Sequence, residues 1–313
     1  MYILGGSNTH LTAGAVKSVD VYDAATKQVT TRADMSTERW SFGAAAVGNR
    51  VCVCGGRAKN NDILRSTECF NPETNSWTNQ QDMSVNRVNH AVTALGGYMY
   101  AIGGRDANDV NFNSCERFDI GANVWSSVAS LSVARHSLGA ATMAGYIYAV
   151  GGGASTGASK VVEKYTSSSN TWERMGDMVT PTFGVAATVW NNQLVVVAGK
   201  SSSVLNTMQV YDAKEDTWST STSTLATARY YLRVEAVWGC YGSAVLVEGK
   251  CVCPIGYYGD PTAKASANCV KCPQGTWTFS RASIIKYRRC SHSSYFLVRF
   301  HVYLPDQICR YIH

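Results

Sequence analysis

One stretch decides the fold, residues 39–87, which read RWSFGAAAVGNRVCVCGGRAKNNDILRSTECFNPETNSWTNQQDMSVNR. Near its start, two short apolar runs, Phe42 to Val47 and Val51 to Cys54, are separated by Gly48-Asn49-Arg50. Apolar runs of this length on either side of a Gly/Asn turn predict a β-hairpin.

The second half of the stretch extends this hairpin. The diglycine Gly55-Gly56 ends the second strand, because glycine accepts backbone angles that other residues avoid. A third strand is predicted from Ser66 to Phe70, and a fourth strand that carries Trp77 follows the turn Asn71-Pro-Glu-Thr-Asn75. The stretch therefore predicts one small antiparallel sheet of four strands.

Three markers of this stretch recur along the chain. The diglycine recurs as Gly5-Gly6, Gly55-Gly56, Gly103-Gly104, Gly151-Gly152 and the weakened copy Ala198-Gly199. An aromatic residue is followed seven residues later by Trp, in the pairs Tyr22/Val29, Phe70/Trp77, Phe118/Trp125, Tyr165/Trp172 and Tyr211/Trp218, where Val29 is the exception. Met or Leu is followed four residues later by Arg, in the pairs Met35/Arg39, Met83/Arg87, Leu131/Arg135, Met178/Thr182 and Leu225/Arg229, where Thr182 is the exception.

The Trp positions are 48, 48, 47 and 46 residues apart. A period near 50 with these markers resembles the kelch repeat, over residues 1 to about 237. The resemblance implies an all-β fold, a β-propeller built of four-stranded antiparallel blades, because stacked blades bury the faces that a single sheet would expose. We place the repeats at 1–38, 39–86, 87–134, 135–181 and 182–228, with a closing strand at 229–237.

An acidic residue precedes each marker aromatic by two positions: Asp20, Glu68, Glu116 and Glu163, with Gln209 in the last copy. We interpret it as a structural hydrogen bond or ion pair, and the kelch resemblance suggests the repeated Arg as its partner. A ring of catalytic carboxylates is a poor alternative, because the acid recurs in every blade rather than at one site.

How the ring closes is a separate hypothesis. The segment Tyr230 to Val237 follows Arg229 where the first strand of a blade belongs, so we expect it to complete the N-terminal blade and to give five blades. The alternative is that one or two blades are missing upstream. Because the chain opens inside a predicted strand and without a signal-peptide pattern, we expect a sequence truncated at its N-terminus.

Charge and hydropathy exclude two classes of partner. Of the formal net charge of +6, residues 281–313 contribute six Lys or Arg against the single acid Asp306, so the rest of the chain is nearly neutral. No basic stripe with interleaved aromatics is present, and we predict no nucleic-acid partner. No apolar run reaches the roughly 18–20 residues that span a bilayer, so we predict no membrane span in this chain.

Cysteine use changes after residue 238. The run Cys251-Val-Cys253-Pro-Ile-Gly-Tyr-Tyr-Gly259 resembles the second half of an EGF-like module. The run from Cys269 through Cys272 to Trp277 resembles the opening of a cysteine-rich repeat of ephrin-receptor and tumour-necrosis-receptor ectodomains. The resemblance implies an EGF-like, cysteine-rich module at 238–280. Its disulfide candidates are Cys240, Cys251, Cys253, Cys269 and Cys272, with open connectivity. A Cys₄ zinc site is the alternative, although one residue between Cys251 and Cys253 is fewer than such sites prefer.

The other cysteines lie in the propeller repeats and in the last segment of the chain. Cys52, Cys54, Cys69 and Cys115 lie in the propeller repeats, where one disulfide could form and buried free thiols are the preferred interpretation. Residues 281–313 lose the turn pattern and the cysteine spacing, and we interpret them as a doubtful or disordered tail from a mispredicted coding end.

The motifs of enzymes are missing from the sequence. We find no nucleophile elbow, Walker, zinc-protease or dinucleotide motif, and we predict no catalytic, cofactor-binding or metal-binding residues and no enzyme activity. His90 and His136 follow the repeated Arg, which favours a blade edge or a loop face. A galactose-oxidase-like enzyme is a remote alternative, because its copper ligands and Cys–Tyr crosslink cannot be placed.

Function is therefore expected in the loops. The loops between second and third strands, at 57–66, 105–114, 153–160 and 200–207, are longer and more variable than the tight turns on the other side of the blades. We call the surface that they build the loop face, and we expect it to bind a protein or glycan ligand. Its candidate residues are Arg57, Lys59, Asp62, Arg105, Asp106, Asp109 and the repeated Arg39, Arg87, Arg135 and Arg229, for which a structural role is the favoured alternative.

Two kinds of protein fit this organisation. A kelch propeller followed by cysteine-rich modules resembles attractin and the multiple-EGF-like proteins, which implies a fragment of a secreted or cell-surface protein. The alternative is an intracellular kelch adaptor, such as a ubiquitin-ligase substrate receptor or an actin-associated protein. In the latter, the cysteines would be reduced.

Overall fold

The computed structural model describes residues 1–7, 14–23 and 26–232 and, after these, only the backbone of six short strands. By their contacts the residues form two compact units, 1–235 and 236–313. In the second unit, three antiparallel pairs are described: β22 (Val245–Val247) with β23 (Lys250–Val252), β24 (Tyr257–Gly259) with β25 (Cys269–Lys271), and β26 (Ile285–Tyr287) with β27 (Phe296–Val298). The predicted EGF-like module and the five cysteine side chains proposed for it otherwise lie outside the described residues.

The first unit consists of five antiparallel sheets in chain order, which we call blades 1 to 5. Blade 1 has three strands, β1 (Tyr2–Ser7), β2 (Ala15–Asp23) and β3 (Gln28–Arg32). Blade 2 has four, β4 (Gly43–Val47), β5 (Arg50–Cys54), β6 (Thr67–Asn71) and β7 (Ser76–Gln80). Blade 3 has β8 (Ala91–Leu95), β9 (Tyr98–Ile102), β10 (Cys115–Asp119) and β11 (Val124–Val128).

Blades 4 and 5 repeat the same meander. Blade 4 consists of β12 (Gly139–Met143), β13 (Tyr146–Val150), β16 (Val162–Thr166) and β17 (Thr171–Met175), and its loop adds the small hairpin β14 (Gly153–Ala154) and β15 (Gly157–Ala158). Blade 5 consists of β18 (Ala186–Trp190), β19 (Gln193–Lys200), β20 (Val204–Asp212) and β21 (Thr217–Thr224). The prediction of an all-β, five-bladed antiparallel propeller is confirmed.

The innermost strands of blades 2 to 5 carry small residues because they approach one another closely. A Cβ atom added to Gly43 would lie 2.0 Å from the side chain of Val92, and one added to Gly139 would lie 2.8 Å from the Cβ of Ala187. The hydroxyl groups of Thr93 and Thr142 are 3.1 Å apart in neighbouring blades. The strands β4, β8, β12 and β18 therefore enclose the axis of the propeller.

The core is a series of apolar layers between successive blades, not one central cluster. Such layers join blades 1 and 2, 2 and 3, 3 and 4, and 4 and 5. The marker Trp of blades 2 to 4 fastens the outer rim of its layer, because its indole N–H donates to a backbone carbonyl of the preceding repeat. Examples are Trp77 to Ala33 at 2.8 Å and Trp172 to Ala129 at 2.9 Å. This contact explains the Trp of blades 2 to 4, whereas the buried indole N–H of Trp218 in blade 5 has no hydrogen-bond partner among the described residues.

The junction between blades 5 and 1 differs from the other four. Met1 and Ile3 of blade 1 are 54% and 48% exposed, whereas their counterparts in blade 2, Val51 and Val53, are 9% and 0% exposed, and Val29 of blade 1 is 58% exposed. No apolar layer of described residues joins these two blades. Arg229 to Leu232 are not part of a strand, and residues 233–237 of the predicted closing strand lie outside the described residues.

Candidate functional site: the loop face

The diglycine of blades 1 to 4 lets the next connection cross tightly over the end of the second strand. Gly55 and Gly56 have φ of +63° and +92°, and a Cβ added to Gly55 would lie 2.5 Å from the carbonyl oxygen of Arg87. At Gly55 a Cβ atom would displace the neighbouring backbone, and the left-handed φ adds strain that glycine avoids. Beyond the diglycine the backbone pairs once more, Arg57 with Trp40, before the loop to the third strand begins.

The repeated arginines lie beneath the loop face, inside the protein. The Arg87 guanidinium donates to Glu116 at 2.5 Å and to the carbonyls of Gly103 and Ser114 at 2.9 and 3.1 Å. The second carboxylate oxygen of Glu116 accepts the N–H of Ser84 at 2.8 Å. The backbone of Arg87 is also hydrogen-bonded to blade 2, so each such pair, which we call a staple, joins one blade to the next.

Two more staples repeat this geometry. Arg39 pairs with Glu68 at 2.7 Å, and Arg135 pairs with Glu163 at 2.6 Å, with all these side chains essentially buried. Burial lowers the pKa of Arg135, and its interaction with Glu163 opposes that shift. The predicted structural pairing of the repeated acid with the repeated Arg is confirmed in three blades.

This burial corrects one part of the sequence prediction. Arg39, Arg87 and Arg135 do not open onto the loop face, because each guanidinium is enclosed by carbonyl and carboxylate oxygens of its own staple. Arg229, the fourth of the set, is exposed, and its Nε donates to the Thr227 carbonyl at 3.3 Å. Only Arg229 of the four therefore remains available to a ligand.

Between blades 4 and 5 both members of the staple have lost their charge together. Thr182 replaces the arginine and Gln209 replaces the glutamate. The Gln209 side chain accepts the Thr180 N–H at 2.9 Å and donates to the Thr180 carbonyl at 3.2 Å, so it still bridges the two blades. The paired replacement indicates that a lone charge is not tolerated in this buried place.

The six loop residues of the prediction are exposed or half-buried on the loop face, and two of them line one groove. Asp62 of blade 2 and Asp106 of blade 3 border an open groove of about 620 Å³. Its other lining residues are Asn61, Ile63, Leu64, Arg65, Ser66, Asp82, Asn86, Ala107 and Asn108. Arg65 and Asp82 form an ion pair across it, at 3.4 Å.

The remaining four do not join that groove. Lys59 borders a smaller groove of about 350 Å³ between blades 1 and 2, together with Lys17 and Asp34. Arg105 pairs with Asp109 at 2.8 Å within its own loop. Arg57 donates to the carbonyl of Asn61 at 3.2 Å and to its side chain at 3.0 Å.

A second set of loop-face residues was missed in the sequence. Directly after each repeated Arg or Thr182 stands a variable residue, in the order Trp40, Val88, His136, Phe183 and Tyr230. The next position forms a chain of backbone hydrogen bonds around the axis, which joins Ser41, Asn89, Ser137, Gly184 and Tyr231 in that order. All five have positive φ. The available signal was their fixed distance from the repeated Arg.

One of the two histidines and both free thiols of the blades are buried. His90 is buried beside the Cys54 sulfur at 3.5 Å, which corrects its predicted position on an edge or loop face. His136 is half-buried on that face, and burial, with Arg105 nearby, lowers its pKa. Burial raises the pKa of Cys54 to about 12 and that of Cys115 to about 11, so both remain protonated thiols at neutral pH.

One disulfide is present among the propeller cysteines. Cys52 and Cys69 face each other on β5 and β6 and are joined by a disulfide, whereas Cys54 and Cys115 are free. The interpretation as four free thiols was therefore wrong for this pair. Within the described ranges, no group of three or more His, Cys, Asp and Glu could hold a metal ion. In that same part of the chain, no helix is long and apolar enough to cross a bilayer.

The described architecture is that of a kelch-type propeller, a class that typically acts as a protein-interaction scaffold. The model of the KLHDC2/KLHL20/DRC7 Kelch-repeats domain matches residues 42–231, and the chain belongs to this kelch-repeat family. Among solved structures, "Structure of YjhT" is similar with a TM-score of 0.63 at 15% identity, covering 85% of this chain and 92% of that one. This likeness supports the fold alone. No curated protein matches the chain.

Proposed function

We propose that the chain is a non-enzymatic scaffold that binds a protein or glycan partner through its loop face. The observation that carries the proposal is the open groove between blades 2 and 3, where the charged loop residues Asp62 and Asp106 converge. The repeated Arg and Glu residues are used inside the staples. What varies from blade to blade is therefore concentrated in the loops, where variation can select a partner.

Photo-crosslinking from each side of the propeller tests this proposal. We expect p-benzoylphenylalanine at Asp62 or Asp106 to give a covalent adduct with a partner in cells that express the full chain. The same residue at Lys214 or Glu215, which lie exposed in the turn between the last two strands of blade 5, serves as the control. Equal crosslinking from Lys214 and Asp62 would refute a partner on the loop face.

We further propose that the chain comes from a secreted or cell-surface protein. The Cys52–Cys69 disulfide supports this, because such bonds persist in oxidising compartments and are rare in the cytosol. The second candidate is an intracellular kelch adaptor, which the description of the matching family model favours. The two candidates differ in the redox state that they require of Cys52 and Cys69.

We therefore expect the Cys52–Cys69 bond to be almost fully formed in protein from its native source. Cells are treated with N-ethylmaleimide before lysis, and tryptic peptides are analysed without reduction. Cleavage at Arg50, Arg57, Arg65 and Arg87 gives peptides 51–57 and 66–87, which should appear as one linked species. Fragmentation must place the link on Cys52, because Cys54 lies in the same peptide. Maleimide on both Cys52 and Cys69 would instead support the intracellular adaptor.

A further inference from the structure

The series of blades has an open end at blade 1. One side of this blade packs on blade 2, and the other, which we call the front side, is covered by no described blade. Met1, Ile3 and Val29 lie on the front side, and each is about half exposed. The inner edge of blade 1 is also open, because among the described strands β1 pairs only with β2. An apolar surface and a strand edge are therefore accessible together.

Blade 5 forms the other open end. On the side that faces away from blade 4, which we call the back side, Trp190 is 52% exposed. At the same position of blades 2 and 4, Val47 and Met143 are only 3% and 4% exposed, because the next blade covers them. Val195 and Val210 of the back side are half-buried, whereas the equivalent residues of blade 2 are buried. Exposed apolar surface of this kind marks a site of interaction.

Half of a staple stands at each open end. The backbone of Arg229 is hydrogen-bonded to Gly199 and Leu205 of blade 5, both at 2.9 Å, just as that of Arg87 is bonded to blade 2. Arg229 is thus positioned on blade 5 to reach the acid of a following blade. Asp20 occupies the position of that acid in blade 1.

The two halves do not meet in the described structure. Asp20 accepts a hydrogen bond from the Thr31 hydroxyl at 3.1 Å, and the Arg229 Nε donates to the Thr227 carbonyl at 3.3 Å. Neither residue forms an ion pair with any described residue. The back side of blade 5 therefore offers a cation beside an apolar surface, and the front side of blade 1 offers a carboxylate beside another.

We propose that the back side of blade 5 in one copy of this chain packs on the front side of blade 1 in a second copy. Arg229 of the first copy then forms a staple with Asp20 of the second. This contact continues the interface that already joins blades 2 and 3, where an Arg–Glu pair lies beside an apolar layer. Every copy carries both open ends, so two such head-to-tail contacts can close a dimer.

A second copy is the occupant that the surface chemistry favours. It supplies the opposite charge and a matching apolar surface at both ends, whereas the two ends of one chain leave these groups exposed. The inference goes beyond the proposed function, because it concerns the ends of the series of blades and not the groove between blades 2 and 3.

Size-exclusion chromatography with light scattering tests the inference on the full chain. We expect the mass to rise with concentration from the 33.9 kDa of one chain to twice that value. The dimer should separate in SDS without reductant, which shows that no disulfide joins the copies. A chain that stays monomeric throughout the micromolar range, or a dimer that needs a disulfide, would overturn the inference.

An exchange of charge shows whether Arg229 and Asp20 meet between copies. Asp20→Arg and Arg229→Asp should each be monomeric, because each variant sets like charges against each other. Mixed in equal amounts, the two variants should form dimers, since each then presents the charge that the other needs. The double variant should dimerise alone. Recovery in the double variant but not in the mixture would place the pair within one chain and contradict the inference.

Variants of apolar and charged residues assign the contact to the open ends. Trp190→Ser should raise the dissociation constant of the dimer about tenfold, because aromatic residues dominate such interfaces. Val124→Ser, at a residue 44% exposed on the outer strand of blade 3, is the matched control and should leave it unchanged. Glu73→Arg and Lys214→Asp, in exposed turns, should also dimerise normally. Equal weakening by Trp190→Ser and Val124→Ser would refute a contact through blade 5.

Discussion

Replacing Arg87 with Thr should lower the free energy of unfolding by about 3–5 kcal/mol. The variant leaves the carboxylate of Glu116 buried without its cation, and the carbonyls of Gly103 and Ser114 lose their donors. An uncompensated charge in the interior is costly because neither water nor a partner solvates it. Urea unfolding monitored by tryptophan fluorescence measures the loss.

The double variant Arg87→Thr/Glu116→Gln is the decisive control. It copies the neutral pair Thr182 and Gln209, which the protein already uses between blades 4 and 5. We expect it to be more stable than the Arg87→Thr single variant by about 1–3 kcal/mol, a coupling typical of residues in one buried network. Additive losses from the two single variants would show that the staple is not a coupled pair.

Replacing Gly55 with Ala should cost about 3–5 kcal/mol in the same measurement. The new methyl group would lie 2.5 Å from the Arg87 carbonyl oxygen, and the φ of +63° adds strain for any residue with a Cβ. Because the nearest atom belongs to the backbone, blades 2 and 3 must move apart, and the Arg87 staple is disturbed with them.

Gly48→Ala provides the matched control for this variant. Gly48 has a similar φ of +58°, and no atom lies within 4 Å of its added Cβ, so only the backbone strain of about 1–2 kcal/mol is expected. The difference between the two variants isolates the close approach of the blades. Equal losses would mean that strain alone sets the cost and that the blades tolerate the methyl group.

The sequence predicted the blades because their markers are local. A strand period of two, a turn and a diglycine each lie within a few residues of one another, and the predicted hairpin in residues 39–87 matches β4 and β5 to within one residue. The partner of each acid was also predictable through the kelch resemblance. The joint loss of charge at Thr182 and Gln209 would have indicated the pairing from the sequence alone.

Two features could not be predicted from the sequence: how deeply a side chain is buried, and which residues face each other on neighbouring strands. Periodicity places Arg87 beside a loop but does not say whether the guanidinium turns outward or inward, and this choice decides between a ligand site and a staple. The disulfide requires Cys52 to face Cys69, a register that depends on the conformation of the loop from residue 57 to 66. The variable residues directly after each repeated Arg or Thr182 were missed because they differ in every repeat and only the circular arrangement brings them together.

The staples have a consequence for how the propeller unfolds. Each connects one blade to its immediate neighbour, over 29 residues for Arg87 and Glu116, and the hydrogen bond from Trp77 to Ala33 does the same over 44. The propeller therefore behaves as a one-dimensional array with nearest-neighbour coupling, in which cooperativity is transmitted blade by blade. The array opens first between blades 5 and 1, which no apolar layer of described residues joins, and next at the uncharged interface between blades 4 and 5. Adding or deleting a whole repeat would change the interface between neighbouring blades at one place only. Gene duplication can therefore alter the number of blades without a redesign of the core.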